Sequence, residues 1–306
     1  MTSGCRKAEG GFILVAVLML SVILLGASTS FALFARSQMR RASDEEFALV
    51  SRTLAAIAGG AVSEWIASDS NDYDSAREFL YAPDFTIALP FDEWDVSIKI
   101  TPLDAHIPIN GVFLPDGVTT RAEYEYPWTG IWDRFGGGNT GTVTLDFLDS
   151  DMEARAGGRE EDYFVNGKIS DLSELLHLPE ITADMVYGSS ADSVSLADYF
   201  TVYGDDKINV NFAPRHVLAV LDQDAGPDVA DAIITYREGN DLKSASDLAK
   251  VPGFSPAAAT RLGGVISGKS SYFSVMICVG DGARERNFTV TMRRGSGRCQ
   301  ILNWRE

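Results

Sequence analysis

Between Gly10 and Ala35 the chain carries no charged side chain. A helix rising ~1.5 Å per residue needs about 20 apolar residues to cross the ~30 Å hydrocarbon layer of a bilayer. The stretch therefore commits the N-terminus to a membrane-spanning helix, and the rest of the chain is cargo on that anchor. A short polar leader with Arg6 and Lys7 precedes it, then Gly10-Gly11, then Phe12-Ile13-Leu14-Val15-Ala16. A cleavable secretory signal has an apolar core of only about 7–15 residues. The run here is longer, although Gly26-Ala27-Ser28 imitates a small-x-small cleavage site. A plain signal anchor satisfies the same pattern.

The helical pattern does not stop at the membrane. From Phe34 to Val50 there is no Pro or Gly, and the pattern runs on through Leu54-Ala55-Ala56-Ile57-Ala58 toward Trp65. Phe47, Val50, Leu54 and Ile57 are spaced as one face of an amphipathic helix requires. The spacing predicts a long helix whose outer half buries that stripe on a sheet. The net charge of −17, from 43 acidic and 26 basic residues, repels phosphate backbones and argues against nucleic-acid binding. With 45% hydrophobic residues in 306, the rest can form one large or two modest domains. Cys5 precedes the apolar run, so no lipoprotein signal is read. Cys278 and Cys299 either pair in an oxidising compartment or stay as separate buried thiols.

Downstream, Trp94, Val96, Ile98 and Ile100 alternate as in a half-buried strand that Pro102 ends. Residues 111–141 read as loop or irregular structure, and Gly136–Gly141 as a flexible loop without the lysine of a phosphate-binding loop. The most acidic window comes next: Asp146, Asp149, Asp151 and Glu153, then Gly157-Gly158 and Glu160-Glu161-Asp162. Hard oxygen ligands gathered near a turn suit calcium, which takes 6–8 of them, but the spacing is not an EF-hand. A solvated acidic loop fits the charge alone equally well. Asp171 and Glu174 form a capping-box pattern. His106, His177 and His216 are isolated and read as structural, and no Ser-His-Asp or Cys-His arrangement can be assembled.

Ile208-Asn209-Val210-Asn211 leads to Pro214, which suits a first helical turn; the two Asn read as structural. Helices are expected over 228–237 and 245–249, with a third starting at Pro256 under a Ser255 cap. Asp247-Leu248, Val251-Pro252-Gly253-Phe254 and Leu262 resemble a helix-hairpin-helix. Three strands close the chain, at 271–279, 286–294 and 299–304, with a turn at Gly280-Asp281-Gly282.

Taken together these motifs resemble a pseudopilin of a type II secretion system. In that family a dedicated peptidase cuts after a glycine on the cytoplasmic side, so Gly11-Phe12 is the implied cleavage site. Major members carry a glutamate as the fifth mature residue. Here that position is Ala16, and the K class of minor pseudopilins characteristically lacks the acid. The K class also implies the segments Asp146-Phe147-Leu148-Asp149-Ser150-Asp151, Gly158-Arg159-Glu160-Glu161-Asp162-Tyr163, Asn166-Gly167 and Ile208-Asn209-Val210-Asn211. Phe147 stands for its usual Trp and Phe212 for its usual Thr. The resemblance implies calcium in the head, with Asp149, Asp151, Glu153, Glu160, Glu161 and Asp162 as the expected ligands.

The expected fold is α+β: a pilin-like long N-terminal helix on an antiparallel sheet, with an inserted all-helical domain. The expected divisions are a cleaved leader 1–11, a transmembrane half-helix 12–35 and a periplasmic half-helix 36–67. Residues 68–110 begin the sheet, 111–268 form the insert and 269–306 complete the sheet. The implied role is non-enzymatic, at the tip of a periplasmic pseudopilus that helps export folded proteins across the outer membrane. The implied partners are the minor pseudopilins of the I, J and H classes, prepilin peptidase, the inner-membrane assembly platform and the lipid bilayer, without nucleic acid. The protein would sit in a bacterial inner membrane with its head in the periplasm. Two other classes compete: an anchored DNA-uptake protein using the helix-hairpin-helix, and an anchored periplasmic hydrolase using Asp149 and Glu160.

Overall fold

The computed structural model describes residues 9–82, 86–91, 93–190 and 193–306, with the side chains of 9–11 and 90 also outside the description. Arg6, Lys7 and Cys5 of the leader lie outside the described residues. Two compact units emerge, the first running to Ala56 and the second from Ile57 to Glu306.

The first unit is a helix. α1 spans Glu9–Ser68 without a break, as the absence of Pro and of clustered turn residues after Gly11 dictates. Its apolar segment is exposed throughout, with Phe12 at 77% and Leu24 at 58%. It is long and apolar enough to cross a membrane. Gly11-Phe12 falls in the first turn of this helix.

In the second unit, the last turns of α1 bury Ala58, Val62 and Ile66, while Ile57 is 53% exposed. The expected stripe is thus displaced at its C-terminal end, from the large Ile57 to small neighbours. Gly59 explains why. A β-carbon there would lie 3.4 Å from Trp304 and 3.7 Å from Ile277 and Met292, so the helix approaches the sheet through its small residues.

The sheet has five antiparallel strands in the order β1-β2-β7-β8-β9. In chain order β1 is Ile87–Phe91, β2 Trp94–Pro102 and β3 Ile107–Pro108. The insert then contributes α2 Ala122–Arg134, α3 Thr140–Leu148, α4 Ala183–Tyr187 and α5 Leu196–Tyr199. Next come β4 Phe200–Thr201, β5 Ile208–Asn209, α6 Arg215–Leu218, α7 Pro227–Gly239, α8 Ala245–Leu248, α9 Pro256–Arg261 and β6 Ile266–Ser267. β7 Tyr272–Gly280, β8 Glu285–Arg293 and β9 Gln300–Arg305 complete the sheet. Period-two patterning places Val96, Ile98 and Ile100 of β2 inward, opposite Val275 and Ile277 of β7. The insert is not all helical: residues 149–171 are an irregular loop, and β4 and β5 pair in parallel over two residues each, β4 with β3 ahead of the insert and β5 with β6 inside it.

Cys278 sits opposite Asn287, whereas Cys299 adjoins Gln300, which sits opposite Arg293. Six residues of strand separate the two levels, roughly 20 Å at ~3.3 Å per residue, so the thiols cannot meet. Both are free.

Residues 111–141 are not irregular. α2 and the start of α3 lie there, and Tyr124, Trp128, Ile131 and Trp132 on the inner face of α2 are buried. Pro127, in the second turn of α2, masked that periodicity. Gly136, Gly137 and Gly138 take positive φ in the turn, but Gly141 is inside α3. A β-carbon on it would come within 2.9 Å of the Trp132 ring, so glycine is there for packing.

The insert is tied to the sheet side by the Ile208–Asn211 segment. Asn209 Nδ2 donates to Ser270 Oγ (2.7 Å) and to the Asp74 carbonyl (3.2 Å), and its Oδ1 accepts the Asn211 amide (2.9 Å). Asn211 Nδ2 donates to the carbonyls of Leu242 (2.8 Å), Asp74 (3.1 Å) and Gly268 (3.2 Å), and its Oδ1 accepts the Leu242 amide (3.0 Å). Both Asn are buried. Asp74, fully buried beside them, accepts from the Ser270 amide (2.5 Å) and from Arg294 (2.8 Å). These two Asn side chains satisfy backbone groups that meet where three segments cross and no regular ladder can form.

Candidate cation centre in the insert

The acidic window begins on α3, whose inward face places Asp146 beside Phe147 in the core. Asp146 is 0% exposed, and Asp149, at the helix C-cap, is also 0% exposed. A separation of three residues at a helix end puts both carboxylates on one side. The chain then loops back over them. The Arg155 amide donates to Asp146 Oδ1 and Oδ2 at 3.2 and 3.3 Å. Gly158 passes so close that a β-carbon would overlap Asp146 Oδ2. That return delivers Glu160 to the carboxylates. Asn166 ends the loop at φ 44°, the left-handed region, with its amide donating to the Phe147 carbonyl at 3.1 Å.

Ligand oxygens of Asp146, Asp149 and Glu160 all lie within 4.8 Å of one another. Calcium–oxygen bonds of about 2.3–2.6 Å put opposed ligands at about that separation. Among the described residues, three buried acceptors in this centre, Asp149 Oδ1, Glu160 Oε1 and Asn166 Oδ1, have no hydrogen-bond partner. Buried carboxylate and amide oxygens rarely stay unpaired, so this donor set fits a hard cation. Burial pushes the Glu160 carboxyl up, reinforced by the charges of Asp149 and Asp146. Asp149 is also raised by burial, which outweighs the opposing pull of Arg155.

One cation is already present. The Arg155 guanidinium donates through one terminal nitrogen to Asp146 Oδ1 (3.1 Å) and to Asp149 Oδ2, and through the other to the Val118 carbonyl. Three carboxylates against one guanidinium leave two negative charges, the charge of one divalent ion.

Of the six ligands expected from sequence, the structure brings Asp149 and Glu160 together. Asp151 instead accepts the Glu153 amide at 2.9 Å in its own turn, and Glu153 is exposed. Glu161 and Asp162 are exposed, and Glu161 pairs with Arg159 at 3.6 Å. Asp146, Asn166 and Arg155 were not in that set. The helical spacing of Asp146 to Asp149 could have flagged the first, and Asn166-Gly167 was one of the segments of the resemblance; no sequence signal marks Arg155. Among the described residues, His106 and His216 belong to no such cluster. Burial holds His106 down at about 4, and His216 Nε2 lies 2.5 Å from the Asp198 carbonyl.

Comparison with known proteins bears on the whole arrangement. Residues 208–265, which contain the Asn segment and α6 to α9, match the family of type II secretion system (T2SS) protein K. No curated protein gave a significant match. Among solved structures, a chain described as the crystal structure of the GspK-GspI-GspJ complex from the enterotoxigenic Escherichia coli type 2 secretion system is similar. It matches with a TM-score of 0.62 and 15% identity, covering 89% of this chain and 98% of that one. A long N-terminal helix, an antiparallel sheet and a mostly helical insert make a pilin-like α+β fold. Within that fold, residues 208–265 carry the signature of the type II secretion system protein K family. That family is a structural component of the secretion system. Nothing in the comparisons supports the DNA-uptake alternative, and the hairpin at Pro252-Gly253 lies inside the protein K match.

Proposed function

We propose that the chain works at the tip of the periplasmic pseudopilus, joined there to the minor pseudopilins of the I, J and H classes, and helps drive folded proteins across the outer membrane. The observation that carries this reading is the agreement of the protein K segment with a fold likeness spanning nearly the whole chain. In this reading prepilin peptidase cuts between Gly11 and Phe12, and α1 stays in the inner membrane until the assembly platform extracts it. The role is non-enzymatic, and the large head prevents another subunit from stacking above it. The ion at Asp146, Asp149 and Glu160 is calcium; when bound, it neutralises their residual charge and ties the end of α3 to the returning loop.

Deleting the gene should abolish export of type II substrates into the medium, with the full chain restoring it. The detergent-solubilised full chain should co-purify with its I and J counterparts, less so in chelator. Unchanged export on deletion, or no co-purification in either condition, would overturn the role. Ala16 tests the tip position separately. If the missing acid excludes the chain from the shaft, Ala16→Glu restores shaft incorporation. If only trimming of the insert does so, bulk is the cause.

A further inference from the structure

Arg155 has the partners of a bound metal ion: two buried carboxylates and a backbone carbonyl. Its side chain is 21% exposed, whereas those of Asp146 and Asp149 are 0% and 1% exposed. The guanidinium therefore reaches in from the rim of the centre. Asp149 gives Oδ2 to Arg155, while its Oδ1, like Glu160 Oε1 in the same cluster, has no hydrogen-bond partner among the described residues. A divalent ion accepted by Asp149 Oδ1 and Glu160 would share the Asp149 carboxylate with Arg155, a few ångströms from a like charge. At that range in a partly buried site, repulsion is strong and little screened.

We infer that Arg155 is an internal counter-ion that keeps the acidic centre folded before the divalent ion arrives and sets how weakly that ion is held. The inference rests on the calcium reading above. It gives Arg155 two effects of opposite sign. Without calcium, it offsets the repulsion among Asp146, Asp149 and Glu160 and stabilises the fold. With calcium, it competes for Asp146 and Asp149 and lowers affinity. A residue that only shaped the loop would move stability and affinity in the same direction. The Arg155 amide, not its side chain, holds the loop to Asp146, so loop closure survives replacement of the side chain.

The test uses the full chain in detergent micelles, wild type with Arg155→Gln and Arg155→Lys, with CaCl2 as the titrant. Thermal unfolding is followed in chelator and at saturating calcium, and affinity by calorimetry. Arg155→Gln should melt lower than wild type in chelator and bind calcium about tenfold more tightly, the scale of one charge-assisted hydrogen bond lost by a competitor. Arg155→Lys keeps the charge without the fork and should fall between them; it carries the affinity measurement if the Gln variant does not fold in chelator. Equal or weaker calcium binding in both variants, with wild type binding normally, overturns the role of Arg155 and leaves the calcium site standing. Absence of calcium binding in wild type and variants overturns both.

Discussion

Asn211 offers the sharpest test of how the insert is fastened. Replacing it with Leu keeps the number and branching of side-chain heavy atoms and removes four hydrogen bonds, but not four equal ones. The carbonyls of Asp74 and Gly268 keep other donors, Asn209 Nδ2 at 3.2 Å and the Asp74 amide at 2.7 Å. Among the described residues Leu242 has no such reserve, since Asn211 meets both its amide and its carbonyl. Two buried backbone groups are thus stranded, each costing about 1–3 kcal/mol. Burying a Leu side chain in place of the amide returns about 1–2 kcal/mol. The expected net loss is about 3 kcal/mol. Urea unfolding of the full chain in micelles, followed by tryptophan fluorescence, reads the loss, and hydrogen exchange at the Leu242 amide locates it. A loss under about 1 kcal/mol, or a Leu242 amide still as protected as in wild type, would refute the assignment of Asn211 as the sole partner of that peptide.

Other consequences rest on single residues. Gly141→Ala drives a methyl group into the Trp132 ring and should cost about 1–3 kcal/mol by urea unfolding, with a changed near-ultraviolet circular dichroism signal. Burial lifts the Asp104 carboxyl to about 6, so from about pH 4 to pH 6 the folded chain keeps a proton that the unfolded chain releases, and this group's contribution falls as pH rises. His106, held down at about 4 by burial, acts oppositely: the unfolded chain binds the proton first, so its contribution rises over the same range. Asp104→Asn removes only the first slope, and its stability relative to wild type should rise by up to ~3 kcal/mol across that window in thermal melts at stepped pH. Finally, the proposed cut after Gly11 predicts by mass spectrometry a shortened wild type on membranes and a full-length Gly11→Leu variant; equal masses would refute it.

How much of this was legible in the sequence depends on the range of the interaction. The apolar run, the alternating strands and the capping box at Asp171 and Glu174 are local, and the structure has them where the residue pattern placed them. The capped segment forms 3-10 rather than α turns and ends at the extended Leu178. α2 escaped notice because Pro127 and the neighbouring glycines look like turn signals, while its helical state depends on Trp128 and Trp132 packing on Phe200, at 5.3 and 6.4 Å between ring centroids. The cation centre was half legible. Composition marks an acidic window, but only folding separates the buried Asp146 and Asp149 and the half-buried Glu160 from the solvated Glu153, Glu161 and Asp162.

By itself the sequence determined the elements whose causes lie within a few residues: an anchoring helix, the strands of a sheet, a set of short capped helices and an excess of acid. Tertiary structure decided what distant residues do to one another. It turned the stripe on α1 toward its small residues because Trp304, Ile277 and Met292 lie close to Gly59. It gave Asn209 and Asn211 their work, because the peptides they satisfy come from segments near residues 74, 242 and 268. It also brought Arg155 into the acidic centre, where loop closure and charge balance, not local propensity, fix its place.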